Sequence, residues 1–577
     1  MAADEKQIKA TAQGHNGPIE LKLNVAQQQL KDIQVVHHSE TPGIFNQVFA
    51  KLHNQILNSQ SFDVDAISGA TVMSKRILTA SKQALTAAHV KLKGKPQKKV
   101  NEGTKTFTAE VVVIGSGEAG LVAACSALSL GKRVILVEKN GYLGGATIFN
   151  GSNVTATGSK IAQRIFGSTL AKEDSPQKLV ADVTRESHQT NTPTLTTLMA
   201  NQIGAAIDFI SDFAQLDYRQ AQTQTPEHSV KRQIELPTSS SYELIQKVAA
   251  AFVKKGGKIL LDTRVENLIQ TGTQIKGIVA KSKHQTVRVL APAIILASGG
   301  YGANTKMRTA ANAGLDYYGP MTSTGDAYQF LAPLKLKTQH LDWYKVYPHG
   351  VETTPGIAKL TTYASKQATD MGAIYVNRQG RRIVNESAVY ADLRDAILQQ
   401  TDKIAFLVMD QRTWDAFYKL LLLHDFTATE IESYFAKAGQ SSPILVKGTL
   451  SQVAQKAGID VAGLTQTVQK YNQYAKTGKD PQFHRQPQYL HGYVGTQYYV
   501  IEQRDRFATS LGGFTAGSDL RLEQQNGTKI VNLFGAGEVV GGANGHDSMP
   551  SMMNSWAIAS GYVAGMTAAQ FNQKSDK

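Results

Sequence analysis

The chain has 577 residues, of which 42% are hydrophobic, and a formal net charge of +15. This length exceeds what one core can use and predicts about three or four domains of ~150 residues each. No apolar run reaches the ~20 residues that span a bilayer. The single cysteine, Cys125, excludes an internal disulfide, a cysteine-rich metal site and the CxxCH motif of covalent haem.

The basic charge would suit nucleic acid or an anionic surface. No nucleic-acid-binding module is recognisable, so we interpret it as a solvated surface and predict no nucleic-acid partner. The first residues, MAADEKQIKATAQGHNG, contain no apolar signal-peptide core. We therefore expect a cytoplasmic protein or, alternatively, an exported one whose signal peptide is absent from this sequence. Cys125 lies in the apolar run AGLVAACSAL, which predicts a buried packing residue.

The first predicted domain covers residues 1–92 and mixes two periodicities. IELKLNV and DIQVVHH alternate as strands do, whereas IFNQVFAKLHNQIL and SKRILTASKQALTAA have helical spacing. Between these helices lies DAISGATVMS, residues 65–74, whose simplest interpretation is a helix start capped by Ser68. A segment rich in Lys, Gly, Pro and Gln, residues 93–106, predicts an exposed linker.

The second predicted domain begins with a strand, a glycine loop, a helix and a second strand: TAEVVVIGSG, EAGLVAACSALSLG and RVILVEKN. Gly115 permits a tight turn, Gly117 lets a pyrophosphate approach the backbone, and Gly120 permits close packing of helix on strand. Glu138 ends the second strand, where a carboxylate can accept hydrogen bonds from a ribose. The unit predicts dinucleotide binding and a doubly wound parallel sheet.

Two further strands that run into glycines, AIILASGGYG and NLFGAGEVVGGANG, belong to the same sheet by this pattern. The segment between them, residues 341–508, is mixed and aromatic, as expected for an inserted cap domain. We therefore predict the dinucleotide-binding domain in two parts, residues 107–340 and 509–577.

Several motifs resemble those of the fumarate reductase and flavocytochrome c flavoproteins. GAIYVNRQGRRIVNESAVYADLRDAI, residues 372–397, resembles the catalytic segment of that family, and GYLGGAT, STGDAYQF and GAGEVVGG resemble its FAD contacts. The resemblance covers residues 107–577. With HNGPIELKLNV and HSETPG, the SGAT loop resembles an FMN-binding domain. The implied fold class is α/β, a doubly wound FAD-binding (Rossmann-like) domain with an inserted α+β cap and a small N-terminal α+β FMN-binding domain.

The resemblance implies two flavins, non-covalent FAD and FMN attached to Thr71 by a transferase. It implies no metal, a small-molecule alkene as substrate, and NADH, a flavin reductase or a quinol pathway as electron donor. The FAD contacts that it implies are Gly115, Gly117, Glu118, Ala119, Gly120, Glu138, Lys139, Gly144, Gly145, Ala146, Thr147, Gly151, Ser152, Val265, Ala297, Ser298, Gly299, Thr324, Gly325, Asp326, Gly537, Glu538 and Asn554.

Matched position by position, the substrate site departs from the family. The family's proton-donating arginine matches Tyr390, and a histidine before a proline matches Tyr347. Because a buried carboxylate without a cation is costly, these losses predict a neutral substrate. The remaining replacements are Lys366 and Thr369 in the proton relay, Thr509 for a histidine and Ser548 for an arginine.

We therefore interpret the chain as a flavin-dependent ene-reductase, most similar to vinylphenol reductases, with Tyr390 and Tyr347 as catalytic residues. The predicted substrate-binding residues are Thr509, Ser548, His349 and His546, with Tyr317 and Tyr318 as added aromatic surface.

Three alternatives stay open. One is a reductase of another enoate, such as a hydroxycinnamate, urocanate or fumarate, whose carboxylate is bound by Arg382, Arg394 or Arg506. Another is a dehydrogenase that runs in reverse. The last is a non-catalytic flavin electron carrier.

Overall fold

The computed structural model describes residues 5–14, 17–38, 40–94, 103–221, 225, 227–238, 240–271, 274–283, 285–423 and 426–575. The chain forms two units. The first comprises Met1–Arg308, Gly319–Tyr344 and Thr509–Lys577, and the second comprises Thr309–Tyr318 and Lys345–Ala508. No helix within these described ranges is long and apolar enough to cross a membrane.

The N-terminal part of the first unit is an antiparallel sheet of Glu5–Gln13, Pro18–Ala26 and Gln29–His38, followed by helices Pro42–Ser59 and Thr71–Ala87. Alternate residues of the middle strand are buried, and buried residues recur every three or four positions along the first helix. The two periodicities of the sequence therefore each place one apolar face in this core.

A six-stranded sheet forms the centre of the first unit. Val111–Ile114 is buried along its whole length, as expected for a strand covered on both faces. Helices Glu118–Ser129 and Met552–Ser575 pack against the sheet, and Cys125 is fully buried in the first of them, as predicted. The strand order is Lys258–Leu260, Val134–Val137, Val111–Ile114, Ala293–Leu296, Lys529–Gly535 and Arg521–Glu523, parallel except for the last strand.

The predicted linker is shorter than expected. Residues 95–102 lie outside the described part, but Gly103–Thr108 is a strand that pairs in parallel with Gln285–Leu290. Its side chains stay exposed, so composition alone suggested a linker although the backbone is paired. The sheet is completed by Gln274–Lys281 and Arg264–Thr271.

The first unit contains several smaller elements. Its other helices are Lys160–Glu173, Pro176–Glu186, Pro193–Ala214, Ser241–Lys254 and Asp326–Phe330, with short 3-10 turns at Gly145–Phe149, Ala332–Leu334 and Gly537–Val539. Its small strands are Val154–Thr155, Arg219–Gln220, Gln233–Glu235, Thr338–Gln339 and Gly513–Phe514.

The second unit contains an antiparallel sheet, in the order Ile374–Val376, Ile404–Asp410, Tyr498–Arg504 and Leu445–Gly448. Its helices are Thr362–Asp370, Tyr390–Leu398, Gln411–Leu423, Ala428–Ala436, Leu450–Ala457 and Val461–Thr477, with 3-10 turns at Ala310–Asn312, Thr401–Lys403 and Pro487–Tyr489.

A second sheet explains why Thr309–Tyr318 belongs to this unit although the sequence placed it in the first FAD-binding part. Asp316–Tyr317 pairs with Ile357–Leu360 and with Arg506–Ser510, which lie far away along the chain. Gly350–Thr354 pairs with Ile357–Leu360, and Tyr344–Tyr347 completes the sheet.

Candidate active site

The glycine loop of the first unit has the geometry that its predicted roles require. Gly115 has φ +106°, and a Cβ there would lie 2.3 Å from the carbonyl oxygen of Ala297. A Cβ on Gly120 would lie 2.0 Å from the carbonyl oxygen of Gly115. At Gly117 the nearest atom would be 3.7 Å away, so the backbone stays open to a ligand at the start of helix Glu118–Ser129.

Two buried acids shape this loop. The Glu138 carboxylate accepts hydrogen bonds from the backbone N–H of Ser116 (3.0 Å), the Ser116 hydroxyl (2.6 Å) and the backbone N–H of Asn140 (2.8 Å). Burial raises the pKa of Glu118 to about 8, so this carboxyl group is mostly protonated at pH 7. A neutral Glu118 adds no negative charge to this loop, which fits the predicted pyrophosphate-binding role.

Other predicted FAD residues lie at strand ends and turns of the same unit. Lys139 Nζ lies 2.9 Å from Thr324 Oγ1 and 3.2 Å from the Asp326 carboxylate. The buried Glu538 accepts hydrogen bonds from the backbone N–H and hydroxyl of Ser510, at 2.9 and 2.8 Å. Ala146 and Thr147 lie in the 3-10 turn before Gly151 and Ser152, and Ala297–Gly299 follows strand Ala293–Leu296. Val265 is buried in its strand. The Asn554 side-chain amide accepts a hydrogen bond from the Asn150 amide and donates one to the carbonyl oxygen of Asn153.

Thr71 is exposed and is the first residue of helix Thr71–Ala87. The N-cap of that helix is Ala70 and no side chain caps it, so the interpretation of Ser68 as the cap is wrong. Because Thr71 is exposed and directly follows a small-residue loop, it fits enzymatic attachment of FMN.

The second unit brings together five residues, Tyr318, Tyr347, His349, Tyr390 and Arg506, which we call the tyrosine–arginine cluster. The Arg506 guanidinium lies 4.6 Å from the ring centre of Tyr318 and 4.9 Å from that of Tyr347. Its Nε donates a 3.0 Å hydrogen bond to the carbonyl oxygen of His349. Tyr390, the first residue of helix Tyr390–Leu398, meets the His349 ring edge-on at 5.2 Å. Cation–π contacts of this kind stabilise a desolvated guanidinium.

The charge of this cluster comes from Arg506, which is 2% exposed. Burial lowers its pKa from the usual range, but a guanidinium remains protonated at neutral pH. The neighbouring Asp505 is also buried and lacks a hydrogen-bond partner for either carboxylate oxygen among the described residues. Burial raises the pKa of Asp505 well above its usual range, which weakens this acid as a counter-charge to the arginine.

His349 is a neutral polar side chain buried within the tyrosine–arginine cluster. Both ring nitrogens lack a hydrogen-bond partner within the described part of the chain, and the residue is 1% exposed. Burial, followed by the charges of Arg506 and Lys366, lowers the pKa of His349 to about 3. The imidazole therefore offers a hydrogen-bond donor and acceptor to a ligand without changing charge near neutral pH.

We expect this imidazole to make stability depend on pH. An unfolded His349 takes up a proton below about pH 6.5, whereas the folded one does so only near pH 3, so acid favours unfolding. Between these values, wild-type protein should lose up to about 1.4 kcal/mol per pH unit more than His349→Asn. Denaturant titrations at several pH values, followed by hydrogen exchange of strand Ile404–Asp410, measure this difference. Parallel pH dependences would contradict it, and the exposed His484→Asn is the control.

The three arginines proposed as alternative carboxylate ligands have different environments. Arg382 is committed to a buried ion-pair network, with its Nη2 at 2.7 Å from Glu386 and 3.0 Å from Asp480. Arg485 reaches the same Glu386 carboxylate at 3.1 Å. Arg394 contacts Asp395 at 2.8 Å on the first helix turns after Tyr390. The ion pairs of Arg382 give it a structural role. Of the three arginines, Arg506 is the one that belongs to the tyrosine–arginine cluster.

Other predicted substrate residues have individual positions that sequence matching did not reveal. Tyr317 is buried against Phe507, with ring centres 5.1 Å apart, so it is a packing residue. Lys366 pairs with Asp370 on its own helix, and the Thr369 hydroxyl donates to the carbonyl oxygen of Lys366.

Three predicted substrate residues belong to the first unit. His546 is exposed, and its ring meets Trp343 edge-on at 5.3 Å. Ser548 is buried and its hydroxyl donates to the carbonyl oxygen of Met549 at 3.3 Å. Thr509 is half-buried in strand Arg506–Ser510.

Sequence reasoning missed Tyr375 and Asp505 as neighbours of the cluster. The Tyr375 ring stacks on His349 at 6.3 Å, and burial raises its pKa above the usual range. Tyr375 lies in an apolar strand, which gives no sign of a functional role. For Asp505, the only sequence signal was its position directly before Arg506.

Two family models match the chain. The model described as FAD binding domain matches residues 110–552, and the model described as FMN-binding domain matches residues 14–86. The fold prediction of two flavin domains is therefore confirmed, and so are the two predicted cofactors.

Curated relatives cover much of the chain. A urocanate reductase of Eggerthella lenta is 27% identical over 572 residues, which are 97% of this chain and 91% of the relative. An NADH:acrylate oxidoreductase of Vibrio harveyi is 24% identical over 627 residues, covering 97% of this chain and 61% of the relative. A cytochrome-type fumarate reductase of Shewanella frigidimarina is 28% identical over 482 residues, covering 81% of this chain and 78% of the relative.

Solved structures show the same fold. The open conformation of a flavocytochrome c3 fumarate reductase superposes with a TM-score of 0.65 at 25% identity, covering 81% of this chain and 79% of that one. A 3-ketosteroid delta1-dehydrogenase from Sterolibacterium denitrificans reaches a TM-score of 0.67 at 18% identity over 80% of this chain and 99% of its own. The second likeness is one of fold alone.

Proposed function

The chain belongs to the FAD-binding-domain family of fumarate-reductase-like flavoproteins, and we propose that it reduces the carbon–carbon double bond of a neutral phenolic alkene of the 4-vinylphenol type. It is an FAD-dependent oxidoreductase of the CH–CH group with an N-terminal FMN-binding domain. The proposal concerns the substrate and the residues that act on it.

The observation that carries this proposal is the tyrosine–arginine cluster. By sequence matching, Tyr390 stands at the position of the family's proton-donating arginine, and its ring and the His349 ring are edge-to-face, with centres 5.2 Å apart. Tyr318 and Tyr347 place two aromatic rings over one buried guanidinium. Flat aromatic walls with hydroxyl and imidazole groups suit a phenol better than a dicarboxylate, which needs several cations.

The chain's own residues can perform the acid–base part of this reaction. When bound, FAD supplies the hydride. Arg506 stabilises the phenolate oxygen of the substrate, with Tyr347 orienting it, while the Tyr390 hydroxyl donates a proton to the terminal alkene carbon. The phenol proton is released to solvent when the oxygen binds Arg506. Solvent also restores the proton that Tyr390 gives to the alkene carbon, and the two transfers convert the substrate into a quinone methide. Its benzylic carbon accepts the hydride, and the oxygen then regains a proton, so that the alkene gains two hydrogens overall.

A second candidate is favoured by the same arginine. Arg506 could bind a single carboxylate, as in a hydroxycinnamate or urocanate, and the urocanate reductase relative supports that alternative. Fumarate has two carboxylates and needs a second cation, for which Lys345, with its Nζ 5.2 Å from the ring centre of Tyr347, is the candidate.

A substrate panel tests these alternatives. With reduced viologen as a chemical reductant, we expect turnover of 4-vinylphenol to exceed that of 4-coumarate, urocanate and fumarate. Turnover of a carboxylate alone would replace the first candidate by the second, and no alkene turnover with intact flavins would favour an electron carrier. The chemical reductant makes the result independent of the physiological donor.

We further propose that FMN is attached to Thr71 and passes electrons to FAD. The exposed Thr71 hydroxyl and the matched FMN-binding domain support this assignment. Two relatives are named as NADH oxidoreductases, which supports NADH as the source of electrons, delivered directly or through a flavin reductase.

A further inference from the structure

A cleft of about 820 Å³ in the first unit has walls from both flavin domains. Ser68 and Gly69, from the loop before Thr71, form one wall. The cleft is also lined by Lys139, Thr324 and Asp326, which are three of the residues that the sequence assigns to FAD.

Direct contacts join these walls. The backbone N–H of Gly141 donates a 2.9 Å hydrogen bond to the carbonyl oxygen of Ser68. A Cβ on Gly69 would lie 2.5 Å from Asn140 Oδ1, and a Cβ on Gly141 would lie 2.3 Å from a methyl group of Ile67. The two segments are therefore hydrogen-bonded through their backbones, and glycine on each side leaves room for a side chain of the other segment.

Two side chains of helix Pro42–Ser59 extend this junction. The Gln47 amide accepts a hydrogen bond from the Leu143 N–H at 2.9 Å and donates one to the Leu143 carbonyl oxygen at 3.1 Å. Lys51 forms a 2.7 Å ion pair with Asp262, which also lines the cleft. The N-terminal domain is therefore hydrogen-bonded to residues 140–143, the segment between Glu138 and the glycines Gly144 and Gly145.

The cleft is rich in cations. Lys139 and Arg264 both pair with Asp326, while Lys283 donates to the carbonyl oxygen of Ala66 and lies 3.9 Å from Asp65. Lys281 and Lys306 also line it. A surplus of positive charge suits the phosphate-bearing part of a nucleotide.

We propose that the N-terminal domain forms part of the FAD site, so that its docking and the binding of FAD are thermodynamically coupled. This inference rests on the assignment of Lys139, Thr324 and Asp326 to FAD by the sequence resemblance. Ser68 and Gly69 border the part of the cofactor that Lys139, Thr324 and Asp326 contact, and the segment bound by Gln47 leads to Gly144 and Gly145. By linkage, FAD stabilises the docked domain as much as the docked domain stabilises bound FAD.

The same arrangement brings the two flavins to one cleft. Gly69 lines the cleft, and at most about 7 Å of chain separate it from Thr71. FMN on Thr71 therefore begins at the rim of the cleft that takes FAD, which shortens the route for electrons.

The test measures FAD affinity of the full-length chain by flavin fluorescence and calorimetry. In Gly69→Ala, with φ +81° and a Cβ against Asn140, the loop must move, and we expect FAD to bind about 5- to 150-fold more weakly, the usual range of coupling between sites. Gly94→Ala, where the nearest atom would be 3.8 Å away, should bind FAD as wild type does.

A second variant tests the coupling even if Gly69→Ala does not fold. Lys51→Gln breaks the ion pair with Asp262 and should also weaken FAD binding, whereas Lys82→Gln breaks an exposed pair within the N-terminal domain and should not. FAD should also slow hydrogen exchange of helix Thr71–Ala87 in wild type and less so in Lys51→Gln.

Wild-type FAD affinity in both Gly69→Ala and Lys51→Gln would overturn the coupling. These measurements need no alkene, so failure of the coupling differs from failure of the proposed activity. A protein that binds FAD without the coupling can still be an ene-reductase, and a coupled protein can fail to reduce every alkene in the panel.

Discussion

Tyr390→Phe should lower alkene turnover by about 10²–10⁴-fold, the usual contribution of a positioned general acid. The phenylalanine keeps the ring that meets His349 edge-on at 5.2 Å, so packing is retained and only the proton-donating hydroxyl is lost. Turnover of 4-vinylphenol with reduced viologen measures the effect, and absorbance spectra check the flavin content.

FAD, FMN and flavin reduction should remain at wild-type levels in this variant. Tyr418→Phe makes the same chemical change at a half-buried tyrosine of the second unit that packs on Trp414, at 5.8 Å between ring centres, and should retain activity. Full activity of Tyr390→Phe would remove this hydroxyl from the mechanism and leave the residue a packing role.

Glu386→Gln should destabilise the second unit by about 3–5 kcal/mol, since it leaves a buried guanidinium without its counter-charge. Glu386 is 1% exposed and accepts hydrogen bonds from Arg382 at 3.0 and 2.7 Å and from Arg485 at 3.1 Å. In this variant, Asp480 is the remaining acid of a network that contains two buried arginines, Arg382 and Arg485. The melting temperature should fall by about 6–20 °C, at ~2–4 °C per kcal/mol for a unit of this size.

Glu432→Gln, at an exposed position of helix Ala428–Ala436, should change stability by less than about 0.5 kcal/mol. An equal melting temperature for Glu386→Gln and wild type would show that the network is not required for folding. The network also has a functional consequence, because Glu386 lies four residues before Tyr390. Its loss should loosen the start of helix Tyr390–Leu398 and lower activity before the protein unfolds.

Local sequence patterns predicted the first unit well. The run VVVI, the glycine loop and the helix that follows each have short-range signals, and the structure places them in a parallel sheet. The boundaries were less accurate at Gly103–Thr108 and Thr309–Tyr318. Both segments belong where they do because of pairing with distant strands, for which neither composition nor periodicity is a signal.

The substrate site shows the same division. Matching by position assigned Tyr347 and Tyr390 to catalytic positions of the family. It left three arginines as equal alternatives for binding a substrate carboxylate. The structure separates two of them, because Arg382 is held by Glu386 and Asp480 whereas Arg506 lies under the rings of Tyr318 and Tyr347. A cation was therefore present in a cluster that the sequence suggested to be without one.

By itself, the sequence determined the two flavin domains, the dinucleotide loop and the identity of the residue at position 390, since each depends on neighbours within about one element of secondary structure. Only the tertiary structure decided which arginine accompanies Tyr390 and His349, and that Gly69 meets Asn140. Those contacts join residues that are 71 or more positions apart along the chain. They form because strand pairing and domain packing bring distant backbones together, and that free energy is distributed over whole surfaces rather than encoded in a local motif.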